Sequence, residues 1–163
     1  PLGQLRFAVG RALALTQPAA LFASGMQPAA FARLLQTILR AFHPRHLRQR
    51  GLDEDRRREA DDLRRAFPYK AGRRLGELFR ERPDLRFDSA AWRHAMHLSA
   101  NRVGLALSGD LQAAVAQVVA DEPALRGMAL TEALQDAPAL RDLLSFAASD
   151  AYYACRAKLG LIG

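Results

Sequence analysis

Residues 89–120 constrain the fold more than any other stretch. Trp92, Ala95, Met96, Val103, Ala106 and Leu107 recur at helical spacing, the pattern breaks at Ser108-Gly109-Asp110, and it resumes at Leu111, Val115, Val118 and Val119. Side chains three and four positions apart share one face of a helix, so two helices joined by a short turn are predicted, the first with a wide buried stripe. Asp88 or Ser89 suits the cap of the first helix and Asp110 that of the second. His94, His97 and Asn101 fall together on a polar edge beside the stripe. That edge is the first place to look for chemistry.

The rest of the chain reads the same way. Over residues 4–15, Leu5, Val9, Ala12 and Leu13 are expected inward with Phe7 and Ala8 alongside, and Gln17-Pro18 ends the helix because a residue before proline avoids the helical region. Leu21-Phe22-Ala23 is too short to assign to helix or extended chain. After Gly25, Pro28 suits a first helical turn, and Phe31, Leu34, Leu35, Ile38, Leu39 and Phe42 form the clearest amphipathic helix. His43 and His46 flank Pro44 and are expected in a loop, with metal binding a minor alternative. Acids lead and arginines trail over residues 53–67, the order that suits a helix dipole, and only Leu52, Ala60, Leu63 and Phe67 are expected inward. A further helix over residues 70–82 carries Ala71, Leu75, Leu78 and Phe79. Its Gly72 and Gly76 either permit close contact or weaken it. Thr131-Glu132 opens a short helix, Pro138 one through Leu140, Leu143, Leu144 and Phe146, and Asp150 a last one through Tyr153, Ala157 and Leu159.

The fold expected from this reading is all-α or nearly so, a single compact helical domain over residues 4–163, with at most a small hairpin at 47–52 or 19–24. Pro1-Leu2-Gly3 resembles the remainder of a protease-cleaved tag, so the domain is expected to be a piece of a longer protein. With 163 residues, half of them apolar, the chain can bury a core without disulfide or metal staples. The longest apolar runs, at residues 12–15, 19–23 and 151–155, are too short to span a bilayer, and no signal peptide opens the chain, so a soluble, cytoplasmic protein is expected. The lone Cys155 excludes an internal disulfide and a Cys-rich zinc site.

The net charge of +7 is uneven: +4 over residues 1–42, +5 over 43–86 and −2 over 87–163. Arg56, Arg57, Arg58, Arg64, Arg65, Arg73 and Arg74 make a possible basic patch, and nucleic-acid binding through residues 45–86 is the alternative function. Nine interleaved acids, few aromatics and no helix-turn-helix signature weigh against it. Glu77, Glu81 and Asp84 read as exposed-face charges, and spacing supports no Ser-His-Asp or Cys-His arrangement.

Two stretches together carry a resemblance. Gly10-Arg11-Ala12-Leu13-Ala14-Leu15 is similar to the Gly-His-Glu-Leu-x-His helix of zinc metallopeptidases, and His97-Leu98-Ser99-Ala100-Asn101-Arg102-Val103-Gly104-Leu105 resembles their downstream Glu-x-x-Ala-Asp-Arg-x-Gly-Leu helix. The group is the gluzincins related to CAAX-prenyl endopeptidases and membrane heat-shock peptidases. In that family two histidines and the downstream glutamate bind zinc while the intervening glutamate activates water.

Carried over by position, Arg11 and Leu15 stand where the histidines would be, Ala12 where the catalytic glutamate would be, His97 for the ligand glutamate and Asn101 for the aspartate. Arginine repels a cation, leucine offers no ligand, and alanine takes no proton from water. The resemblance therefore implies a degenerate relative with no enzymatic activity, no metal and no cofactor. It further implies a former active-site cleft lined by Arg11, Ala12, Leu15, His94, His97 and Asn101. The expected role is a peptidase-like protein-interaction or scaffold module in a larger bacterial protein, with a protein or a neighbouring domain of the same chain as partner.

Overall fold

A computed structural model describes residues 2–47 and 53–162. Among them the chain is helical with no strand. Its α-helices are α1 (Leu2–Leu15), α2 (Pro18–Gly25), α3 (Pro28–Phe42), α4 (Pro44–Leu47), α5 (Glu54–Ala66), α6 (Tyr69–Glu81), α7 (Ser89–Ser108), α8 (Leu111–Asp121), α9 (Leu130–Asp136), α10 (Pro138–Ala147) and α11 (Asp150–Lys158), with a 3-10 turn at Pro123–Leu125. Residues 19–24, where a hairpin was conceivable, lie within α2, and the segment after His43 is a short helix rather than a loop. Pro44 opens that helix, where its missing N–H removes no bond. The other candidate hairpin, at 47–52, lies almost wholly outside the described residues, as does the His46 side chain.

The chain packs as two units: a terminal unit of the residues up to Ser24 and from Arg93 onward, and a central unit, Gly25–Trp92. In the terminal unit α1 lies against α8, α8 against α10, and α10 against α9 and α11. Phe7, Leu105, Ala114, Val118, Leu125, Ala133, Ala137, Leu140 and Leu143 form its core. Asp110 caps α8 by accepting from the Ala113 N–H at 2.9 Å. Asp88 serves α7, accepting from Ala90 and Ala91 at 3.0 and 2.9 Å. Ser149, one residue before the expected Asp150, caps α11.

The predicted inward faces of α1 and α7 need correction. Leu5, Val9 and Leu13 are exposed, Ala8 and Ala12 too, and the buried residues of α1 are Phe7 and Gly10. On α7 the buried residues are Ala100, Asn101, Gly104, Leu105 and Ala106; Ala95 and Val103 are exposed, and Trp92, Met96 and Leu107 are half-buried. The reason is a backbone approach: a Cβ on Gly10 would sit 2.8 Å from Gly104 Cα, and one on Gly104 would sit 2.8 Å from the Phe7 carbonyl oxygen. Helices this close bury their smallest residues and turn their large ones aside. Leu13 of α1 and Met96, Val103 and Leu107 of α7 line an open apolar groove of about 510 Å³ together with Cys155 and Leu159. On α11, Tyr153 and Leu159 are likewise exposed, and Tyr152 packs on Phe146 instead.

In the central unit α3 packs on α4, α5 and α6. Phe31, Leu35 and Phe42 are buried as their spacing predicts, with Leu34, Ile38 and Leu39 half-buried. Ala60 of α5 and Phe79 of α6 complete the core, joined by half-buried Leu63, Phe67, Leu75 and Phe87. Ala71 and Leu78, expected inward on α6, are exposed. Aromatic rings make edge or tilted contacts throughout: Phe42 with Phe67 at 5.3 Å, Phe79 with Phe87 at 6.1 Å, and Trp92 with Phe31 and Phe87 at 5.9 Å each. His43 is 2% exposed, lies 5.1 Å from the Phe79 ring and pairs its Nε2 with the Pro83 carbonyl at 3.2 Å. Its Nδ1 accepts from the Arg45 N–H at 3.2 Å. It is a core residue of this unit.

Candidate functional site

The Gly10 and Gly104 approach brings together the two stretches that carry the family resemblance. Arg11 follows Gly10 on α1, and Asn101 precedes Gly104 by about one turn on α7, so both stand beside the crossing. A polar cleft of about 400 Å³ opens there in the terminal unit. Arg11, His94, His97 and Asn101 line it, joined by Asp121 and Glu122 from the end of α8. Ala12 is exposed and Leu15 half-buried, and neither lines the cleft.

Arg11 is held in place. Its Nη1 donates to Asp121 Oδ2, its guanidinium lies 5.5 Å from the Phe7 ring centroid, and the other Asp121 oxygen accepts from Gln117 Nε2 at 3.1 Å. The ion pair is partly buried and cancels the arginine's charge on the cleft wall. Two polar atoms of the cleft are left over: Arg11 Nε and Asn101 Oδ1 are buried without a hydrogen-bond partner. Asn101 as a whole is 4% exposed.

The imidazole of His97 is held below its usual pKa, first by burial and then by the positive groups Arg93, Arg11 and His94, with Asp121 opposing them. It is therefore neutral near pH 7, able to donate through one nitrogen and accept through the other. Arg102, next to Asn101, turns away and pairs with Asp142 of α10. The polar groups that line the cleft are the Arg11 guanidinium, the imidazoles of His94 and His97, the Asn101 amide and the carboxylates of Asp121 and Glu122.

Zinc, which the metallopeptidases named above hold between two such helices, does not fit the residues present here. Arg11 puts a guanidinium there, Leu15 lies off the cleft, and among the described residues no group of three or more His, Cys, Asp or Glu side chains is arranged to hold a metal ion.

The arginines of the possible basic patch are exposed on α5 and α6, and most face acids of their own helix. Arg58 pairs with Glu54, Arg64 with Asp61, Arg65 with Asp62, and Arg73 and Arg74 with Glu77. Glu77 is shifted down in pKa by its hydrogen bond to Arg73 and by the nearby arginines. Arg56 shares a wide surface depression with Asp53, Asp55 and Glu59, and Arg57 is exposed beside it in sequence.

Asp121 and Glu122 were not legible as site residues. Asp121 lies 110 positions from the arginine it binds, and no local pattern links them. The sole sequence signal is that the first helix carries two arginines, Arg6 and Arg11, and no acid of its own, which asks for a carboxylate elsewhere. No helix among the described residues is long and apolar enough to cross a membrane. Neither a protein-family model, nor a curated protein, nor a solved structure matches the chain.

Proposed function

We propose that the chain is a noncatalytic, peptidase-like helical module that binds a protein segment in the polar cleft of its terminal unit. The observation that carries this reading is Asn101: an amide 4% exposed, its oxygen unpaired, on the wall of an open cleft. An unsatisfied buried polar group costs about 1–3 kcal/mol, and alanine or leucine at the same helical position would avoid that cost. A binding partner that satisfies the group explains its presence. The Arg11–Asp121 pair, which engages a carboxylate of the cleft, supports a recognition role over proton transfer. The partner in this reading is another protein or a neighbouring domain of a longer bacterial chain, met in the cytoplasm, with the module acting as a scaffold.

Two measurements test it. Chain purified without chelator is analysed for metal, titrated with zinc in a calorimeter and incubated with a peptide mixture; no micromolar zinc binding and no cleavage are expected. Proteins retained by the wild-type chain are then compared with those retained by Arg11→Ala and Asn101→Leu variants of unchanged circular dichroism. Selective loss with both variants is expected. Tight stoichiometric zinc, peptide cleavage, or retention indifferent to both substitutions overturns the reading.

A further inference from the structure

The unpaired atoms in the cleft specify more than binding. Arg11 Nε is a donor without an acceptor and Asn101 Oδ1 an acceptor without a donor, and both residues line the same 400 Å³ space. We infer that the group recognised in the cleft is an amide, whose N–H is accepted by Asn101 and whose carbonyl oxygen accepts from Arg11. The inference rests on the cleft being a binding site, as proposed above.

Charge excludes the simpler ligands. A carboxylate or phosphate would accept from Arg11 but would face Asp121, Glu122 and the lone pairs of Asn101 Oδ1, while the arginine's charge is already matched by Asp121. An ammonium group would satisfy Asn101 and leave Arg11 Nε bare. A neutral group carrying one donor and one acceptor satisfies both, and the amide is the commonest such group in proteins. Arg11 Nε and Asn101 Oδ1 are both buried in the cleft wall, so a ligand's amide meets them as the two side chains turn, which the broad terminal torsion of asparagine allows at Asn101. The amide can come from an extended backbone, whose residues present N–H and C=O on the same side, or from a primary carboxamide side chain.

The test is amide NMR of the full chain titrated with four small probes: N-acetylglycine N-methylamide for a backbone source, propionamide for a side-chain source, methyl propionate, which lacks the donor, and sodium propionate, which is an anion. One or both amides are expected to shift the Asn101 side-chain resonance, the stronger of them naming the source. The ester is expected about fivefold weaker for the lost hydrogen bond. Asn101→Leu, which removes that resonance, is expected to abolish the accompanying shifts of the cleft's backbone amides. Arg11→Lys keeps the charge opposite Asp121 but has no Nε–H, and is expected to weaken amide binding about fivefold in a folded protein, so it decides the matter should Asn101→Leu fail to fold. Ester or propionate binding as tightly as the amides, silence from the wild type with every probe, or full binding by Arg11→Lys overturns the inference. Silence together with partner loss in Arg11→Ala leaves the module and removes the amide. Amide binding with partners indifferent to both cleft variants does the reverse.

Discussion

The two units solve the same packing problem with opposite materials. In the central unit the space between helices is filled by rings: Phe42 touches Phe67, Phe79, Phe87, Trp92 and Phe31 touch in succession, and the fully buried large side chains are Phe79 and His43. In the terminal unit α1 and α7 approach through glycine, and the fully buried large side chains are Phe7, Leu105, Leu140 and Leu143. Charge divides as sharply: sixteen Arg and Lys against ten Asp and Glu in residues 25–92, eight against seven in the remainder. The consequence shows at the surface. Of sixteen large apolar side chains exposed among the described residues, fourteen belong to the terminal unit, among them Leu5, Val9, Leu13 and Val103 on the two helices that meet through glycine. Exposed apolar side chains therefore gather in the unit whose helices meet through glycine, and the ring-filled unit exposes two, Tyr69 and Leu78.

Substitutions can break this contrast. The largest effect is expected from Phe79→Ala, which removes a ring with no exposure from the central core and should cost about 3–5 kcal/mol in denaturant unfolding; a loss below about 1 kcal/mol would mean the rings do not hold that unit. Next is Gly104→Val, whose branched side chain has no room 2.8 Å from the Phe7 backbone oxygen and should cost about 3 kcal/mol. Gly76→Ala on α6 sharpens the comparison by its opposite sign. A Cβ there meets nothing within 4 Å, so the helix should gain about 0.5–1 kcal/mol, read as a raised melting temperature.

The smallest expected effect is in pH dependence. Arg93, Arg11 and His94 face His97 as positive groups and Asp121 as the negative one, and its pKa in the folded chain lies below that in the unfolded chain. Between the two values the unfolded chain binds the extra proton, so stability is full above the unfolded pKa, near 6.5, and falls as pH drops toward the folded one. His97→Gln should flatten that acid-side slope in melting curves taken across the interval; an unchanged slope assigns it to other groups.

The helices were legible wherever large apolar side chains marked them. Phe31, Leu35 and Phe42 recur at helical spacing and are buried, because a ring or a branched chain has most to gain from leaving water. On α7 the same rule pointed to Met96, Val103 and Leu107, while the buried face belongs to Ala100, Gly104 and Leu105. Hydrophobic periodicity weighs side chains by size and so cannot see a contact made by having none. The candidate site divides in the same way. Arg11, His94, His97 and Asn101 do share one cleft, but Asp121 entered it through the packing of α8 on α1, which no spacing encodes. Ala12 fell away because the position after Arg11 points to another side of α1, whereas Leu15, one turn on along the face of Arg11, lies outside the cleft.

Arg156 of α11 gives the terminal unit a property that equilibrium stability does not describe. Its Nη1 donates to the Ala106 carbonyl at 2.9 Å and its Nη2 to that of Leu161 at 2.6 Å, while its guanidinium lies 5.7 Å from the Tyr152 ring. Gly109, at φ 65, turns the chain away from α7 where a Cβ would collide with that guanidinium. The bond to Ala106 joins positions 50 apart and can close only after α7 and α11 have docked. Contacts made after the folding barrier govern the rate of escape from the native state, so Arg156 acts as a latch on unfolding, and its loss should shorten the lifetime of the folded unit while leaving the speed of refolding untouched.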